Sequence, residues 1–140
     1  MPVIIYSKVV GDLFHIGHVR FLREAKALGD RLIVQVVSDE RVAVYKRVPF
    51  MSQHERAEVV ASCVYVDEVH LEGPKTITLD FMDRNGFEIY AYGYSSERES
   101  LVKRQDCIEL PDQRIRIIPY TPGISTTDII DRVLTRGKNR

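Results

Sequence analysis

Apolar and polar positions fall in alternating blocks along the chain of 140 residues. Val3 to Val10 and 31-RLIVQVVS-38 are nearly continuous apolar runs, as expected for central parallel strands covered on both faces. Between them, Phe21, Ala25 and Leu28 recur at helical spacing, with Leu22 beside them, predicting a helix over Val19 to Leu28. Gly29 supplies its stop through tolerance of left-handed backbone. These elements form a strand-helix-strand unit with a right-handed crossover. The polar segment Asp39 to Met51 interrupts the pattern and predicts a flexible active-site loop. Ser52-Gln-His-Glu55 then opens a capped helix with Ala57, Val60 and Ala61 on its inner side. A connection and strand follow over Val64 to Leu71, and a helix over Thr76 to Asn85 is ended by Gly86. A strand at 87-FEIYAY-92, a helix over Glu97 to Cys107 and a late strand at 114-RIRIIP-119 complete the alternation. The last helix is capped by Ser125, with Asp128 in its first turn and Ile124 and Ile129 as a hydrophobic staple. This order predicts an α/β fold with a single doubly wound, mostly parallel sheet.

The length suits one domain, placed at residues 1–136, with 137–140 as a flexible tail. The formal net charge is zero, so nothing in the composition favours a nucleic-acid or membrane surface as partner. Cys63 and Cys107 form no close metal pattern and read as buried reduced thiols. The first residues lack a signal-peptide pattern, and no apolar stretch reaches membrane-spanning length, which predicts a cytoplasmic location. The dinucleotide fingerprint Gly-x-Gly-x-x-Gly is missing, which argues against hydride-transfer chemistry.

The candidate chemistry begins at His15-Ile-Gly-His18, at the junction of the first strand and helix. Ligands in such sheets bind beyond the carboxyl ends of the strands. There imidazoles can donate to phosphate oxygens, Gly17 permits close backbone approach, and a helix start favours anions. The bland alternative is that the histidines cap the helix. Val10 and Gly11 lead into Asp12, which either accepts backbone hydrogen bonds or helps position Mg²⁺ with a nucleotide. Lys46 and Arg56 are candidate phosphate clamps, or solvated surface charges. Ile124-Ser-Thr-Thr127 places Ser125, Thr126 and Thr127 at a helix entrance, able to cap it and to bind phosphate.

Taken together, these segments resemble the CTP-dependent cytidylyltransferase family, in its glycerol-phosphate, phosphoethanolamine, phosphocholine and phosphonate branches. The resemblance covers roughly residues 3–134. It rests on Asp12, His15-Ile-Gly-His18, the following Arg20 to Asp30, Lys46, Arg56, Tyr65-Val-Asp-Glu-Val69 and Ile124-Ser-Thr-Thr127. It implies a Rossmann-like nucleotidyltransferase fold. It also implies transfer of CMP from CTP to a phosphate or phosphonate oxygen, with release of pyrophosphate. His15, His18, Lys46 and Arg56 would be catalytic. Val10, Gly11, Asp12, Gly17 and Ile124 to Thr127 would hold the nucleotide, and Asp12 would meet Mg²⁺. The resemblance further implies a homodimer.

Three segments depart from the family pattern. The turn before Asp12 reads 9-VVG-11. Tyr120 stands where relatives often carry arginine, leaving Arg98 or Arg114 to compensate. The adjacent acids after the penultimate strand are replaced by 92-YGYSSERES-100, which offers Tyr92, Tyr94 and Ser95 to an acceptor and Glu97 or Glu99 as charge. Loss of those acids favours a neutral head group, with 2-hydroxyethylphosphonate preferred and glycerol 3-phosphate next. An ATP-dependent adenylyltransferase and a noncatalytic nucleotide-binding module are the competing readings.

Overall fold

The computed structural model describes residues 1–138. Five parallel strands form one sheet in the order β3-β2-β1-β4-β5. They are β1 (Ile4–Val9), β2 (Arg31–Val36), β3 (Glu68–His70), β4 (Ile89–Tyr92) and β5 (Ile115–Ile117). The helices are α1 (Ile16–Ala27), α2 (Asp39–Tyr45), α3 (Gln53–Ala61), α4 (Leu79–Asn85), α5 (Glu97–Asp106) and α6 (Thr126–Gly137). The chain winds outward from β1 through β2 to β3, then crosses back to β4. The point between β1 and β4 is therefore where the winding reverses, and a crevice opens beyond their carboxyl ends.

Neighbouring residues of a strand face opposite ways, so β1 contributes to two cores. Ile5 packs with Leu22, Ala25, Leu32, Val34, Ala57 and Val60 beneath α1 and α3. Tyr6 packs with Ile77, Met82, Phe87, Tyr90, Tyr92 and Cys107 on the other face, toward α4 and α5. The ring of Tyr6 stacks on Phe87 at 4.6 Å between centroids, and its hydroxyl donates to the Gln35 side chain. The Ser52–Glu55 capping box forms in both directions, and Ser125 caps α6 by accepting the Asp128 N–H at 3.1 Å.

Several expectations change. Residues 39–51 are not one flexible loop: Asp39–Tyr45 form α2, with Ser38 accepting the Arg41 N–H and Asp39 and Glu40 in the first turn. Ala61 is exposed, and α3 instead turns Arg56 inward beside Ala57 and Val60. The helix predicted from Thr76 begins at Leu79, with Thr78 as its cap. Gly29 is not left-handed. A Cβ there would lie 2.6 Å from the Val3 carbonyl oxygen, so close approach is what calls for glycine. Cys107 is buried, whereas Cys63 is only partly so; both are free thiols. Of the expected loose tail, Gly137 belongs to α6 and residues 139–140 lie outside the described residues.

Candidate active site

A cavity of about 840 Å³ occupies the crevice. Val10, Gly11, His15, Gly17 and His18 line it from the β1–α1 corner, and Lys46 from the end of α2. Ile124, Ser125, Thr126 and Thr127 close it from the start of α6. The two motifs at opposite ends of the sequence thus meet in space.

The paired histidines are locked by their own backbone. His15 caps α1: its Nδ1 accepts the Gly17 N–H at 3.0 Å. His18 completes the box: its Nδ1 accepts the His15 N–H at 3.1 Å. An accepting nitrogen cannot carry the ring proton, so each neutral ring holds it on Nε2, away from the helix. The capping role and the ligand-facing role therefore belong to different atoms of the same rings. A Cβ on Gly17 would sit 2.7 Å from His15 Cε1, so a larger residue would push that ring out of its cap. The rings of His15 and His18 are 4.1 Å apart, and Phe14 stacks on His18. Burial, reinforced by the charges of His15, Lys46 and Lys103, pushes His18 down to about 3, and burial also lowers His15. At neutral pH the corner offers neutral N–H donors.

Thr126 ties this corner to α6. Its hydroxyl donates to the Asp12 carbonyl at 3.0 Å and lies 3.5 Å from His15 Nε2. With its proton turned to Asp12, the hydroxyl oxygen can accept from His15, although 3.5 Å is a long contact. Residues at the starts of both α1 and α6 line the cavity, a setting suited to a polyphosphate.

Asp12 is buried, and its two carboxylate oxygens accept the Phe50 and Met51 N–H groups, each at 3.0 Å. It pins the segment that follows Lys46 rather than lining the cavity. Arg56, fully buried, donates to the carbonyls of Val10 at 2.7 Å and Met51 at 3.1 Å, and pairs with Asp39 at 2.5 Å. It is absent from the cavity wall, so it holds the β1–α1 corner, α2 and α3 together instead of clamping phosphate in this state.

The opposite wall centres on Glu99, a residue only 8% exposed. Its carboxylate pairs with Lys103 at 2.8 Å and Lys46 at 3.7 Å, and accepts hydrogen bonds from Ser95 at 2.8 Å and Tyr120 at 3.3 Å. Burial alone would raise this carboxyl, but the two ammonium groups and the bonds from Lys103 and Ser95 outweigh it and hold it down at about 2. Burial lowers Lys46 and Lys103 in turn, opposed by Glu99. Lys103 also donates to the Tyr120 hydroxyl at 2.8 Å and to the Gly93 carbonyl. Gly93 admits this arrangement, because a Cβ there would meet the Tyr120 ring at 2.6 Å. Lys103, not Arg114, is thus the cation beside Tyr120. Arg114 lies far along the sheet, bonded to the carbonyls of Phe87 and Glu88, while Arg98 lines the cavity.

Of the three residues expected to face an acceptor, only Ser95 lines the cavity. Tyr92 is buried among the α4/α5-side core residues and is outside the cavity wall, which Tyr90 of the same core reaches instead. Tyr94 is exposed and outside the cavity wall. Sequence reading missed Lys8, Arg41, Tyr45 and Lys103 as lining residues. The Glu99–Lys103 spacing of four on a helix was the available signal for the last. Among the described residues, no group of three or more His, Cys, Asp or Glu gathers to hold a metal. Asp12 is engaged by backbone and Glu99 by lysines, so these residues do not fit a protein-built Mg²⁺ cage.

The cytidylyltransferase-like family profile matches residues 12–132. Ethanolamine-phosphate cytidylyltransferase of Arabidopsis thaliana is 38% identical over 144 residues, covering 95% of this chain and 32% of that protein. Choline-phosphate cytidylyltransferase A of Rattus norvegicus is 38% identical over 141 residues, covering 95% and 37%. The chain spans about a third of the length of these curated relatives. Among solved structures, the lipopolysaccharide core biosynthesis protein from Thermoplasma volcanium GSS1 superposes with a TM-score of 0.66 at 21% identity, covering 86% of this chain and 98% of that one. Pantoate-beta-alanine ligase from Francisella tularensis gives 0.52 at 14% identity, covering 92% and 68%. These two likenesses concern the fold alone. The fold, the meeting of the two terminal motifs and the profile match agree: the chain belongs to the cytidylyltransferase-like family of nucleotidyltransferases.

Proposed function

We propose that the chain transfers CMP from CTP to a small phosphonate or phospho-alcohol and releases pyrophosphate. The observation that carries this reading is the convergence of His15, His18, Lys46 and Thr126 on one cavity. An acceptor oxygen attacks the α-phosphorus of CTP, and the bond from that phosphorus to the oxygen bridging to the β-phosphorus breaks. Its electron pair leaves on pyrophosphate. No covalent intermediate and no proton transfer are needed. The Nε2–H groups of His15 and His18 stabilise the α-phosphate and the leaving pyrophosphate, whose charge grows as the bond breaks. Lys46 leaves Glu99 and neutralises the phosphate chain, while the start of α6 with Ser125 and Thr126 receives the terminal phosphates. Thr127 borders the same entrance. Arg56 and Asp12 act as positioning residues. Mg²⁺ would enter as a counter-ion brought by the nucleotide.

We favour 2-hydroxyethylphosphonate as acceptor, because the acids of the family pattern after β4 are replaced by 93-GYSS-96 and the cavity's own Glu99 and Asp106 are already paired with lysines. A phosphorylated amino alcohol is the second reading, favoured by the names of the ethanolamine-phosphate and choline-phosphate relatives. We also propose a cytoplasmic homodimer. Among the described residues, no helix is long and apolar enough to cross a membrane. Pyrophosphate release measured with CTP and with ATP, across a set of acceptors, tests the reading. CTP-dependent release with a phosphonate or phospho-alcohol is expected. Release with ATP alone would move the chain to adenylyl transfer, and tight nucleotide binding without release would make it a binding module.

A further inference from the structure

Lys8 is an unusual residue for the centre of a parallel sheet. It sits on β1, and its side chain is 9% exposed, yet it lines the cavity. Its ammonium donates to the Lys75 carbonyl at 2.5 Å and to Asp106 at 3.0 Å. An ammonium has three N–H groups, so one has no protein partner among the described residues. Arg41 of α2 lines the same region, and its one side-chain hydrogen bond among the described residues goes to the Gly73 carbonyl at 3.0 Å. The hydroxyl of Tyr45, at the end of α2, makes no hydrogen bond among the described residues and also borders the cavity. Lys8 already neutralises Asp106.

Lys8 and Arg41 face Asp106 and Gly73, and Tyr45 borders the triphosphate side as well, with the Lys46 ammonium 6.0 Å from its ring centroid. The charges that bear on His18 are those of His15, Lys46 and Lys103, whereas those that bear on Lys8 are Asp106, Arg41 and Cys107. A buried cation with a spare donor, a second cation and a free phenol form a pocket end that is rich in donors, and the two cavity carboxylates near it, Asp106 and Glu99, are both paired with lysines. An ammonium head would reach Asp106 only by displacing Lys8, and would meet like charge from Lys8 and Arg41 meanwhile. Burial makes that penalty larger than at a surface.

We infer that Lys8, with Arg41 and Tyr45, forms the acceptor head-group subsite and selects an oxygen-bearing head, hydroxyl or carboxylate, against an ammonium. This rests on the cytidylyl-transfer reading above and names the specificity determinant within it. The test compares 2-hydroxyethylphosphonate, phosphonoacetate and 2-aminoethylphosphonate, which differ mainly in the head. Each is assayed with CTP for kcat/KM and by calorimetry for binding to the protein. In the wild type, the amino acceptor should be about 10- to 100-fold poorer than the two oxygen-headed ones, the range of one hydrogen bond to a charged group. Lys8→Met should bring the three within about threefold of one another while leaving KM for CTP in place, and Lys8→Arg should retain the preference. Equal or better use of the amino acceptor by the wild type would overturn the inference, whether or not the variant folds. So would a Lys8→Met loss equal for all three heads. If no acceptor turns CTP over, the transfer reading fails, and the calorimetric ranking of the heads still decides this one.

Discussion

The two ends of the cavity are built in different ways. At the histidine corner the contacts that fix the two rings are short in sequence: His15 holds Gly17 N–H, and His18 holds His15 N–H. At the head-group end, Lys8 meets Asp106 across 98 residues, and Arg41 of α2 reaches the Gly73 carbonyl. The first is a local cap that doubles as a phosphate site; the second exists only once the sheet and its helices have assembled. Function at the corner therefore depends on two rings, whereas function at the other end depends on the whole fold.

Breaking the corner should give the largest effect on turnover. His18→Ala should lower kcat/KM by about 100- to 1000-fold, the range for losing a donor to developing phosphate charge. Its stability cost should be about 1 kcal/mol, since it also removes one arm of a helix cap. Steady-state kinetics beside urea denaturation separates the two. A stability loss large enough to explain the activity loss would return the histidines to a purely capping role.

Arg56→Met should reverse that balance. The side chain is fully buried and holds Val10, Met51 and Asp39, so its loss should lower stability by about 3 kcal/mol. At temperatures where the variant stays folded, activity should fall far less than in His18→Ala. A variant of normal stability and abolished turnover would place Arg56 on the nucleotide instead.

A smaller effect sharpens the electrostatic side of the comparison. His18 is held near 3 when folded, against about 6.5 for a histidine in the unfolded chain. Between those values the unfolded state binds more protons, so folded stability falls as pH drops below about 6.5. Glu99, held at about 2, adds a loss of the same sign below the ordinary glutamate range. Urea midpoints at pH 7 and pH 5 should show the wild type losing about 2 kcal/mol more than His18→Gln. An equal loss in both would mean the ring is not held neutral by its surroundings.

How far the sequence carried differs between the same two regions. The strands were readable because Ile4–Val9 and Arg31–Val36 are apolar on both faces, and the caps at Ser52 and Ser125 because they are local. The histidine corner was readable for the same reason. Helix α2 escaped because it buries only Val42, which leaves no apolar period, although Ser38 and the acids after it mark a helix start. Lys8 was hidden within an apolar run that reads simply as a strand. Tyr92 was offered to the acceptor as an aromatic face beside the missing acids, and its burial at the end of β4 among Tyr90, Cys107 and Leu110 appears only in the fold. Lys103 was not singled out, because its partners, the Tyr120 hydroxyl and the Gly93 carbonyl, come together only in the fold.

The central claim is attack at the α-phosphorus of CTP. Phosphorus NMR of the protein with CTP and 2-hydroxyethylphosphonate tests it most directly, because each point of attack leaves different products. The account predicts inorganic pyrophosphate together with a new phosphonate–phosphate anhydride joining CMP to the acceptor. Formation of CDP, which marks transfer of the terminal phosphate, would contradict it.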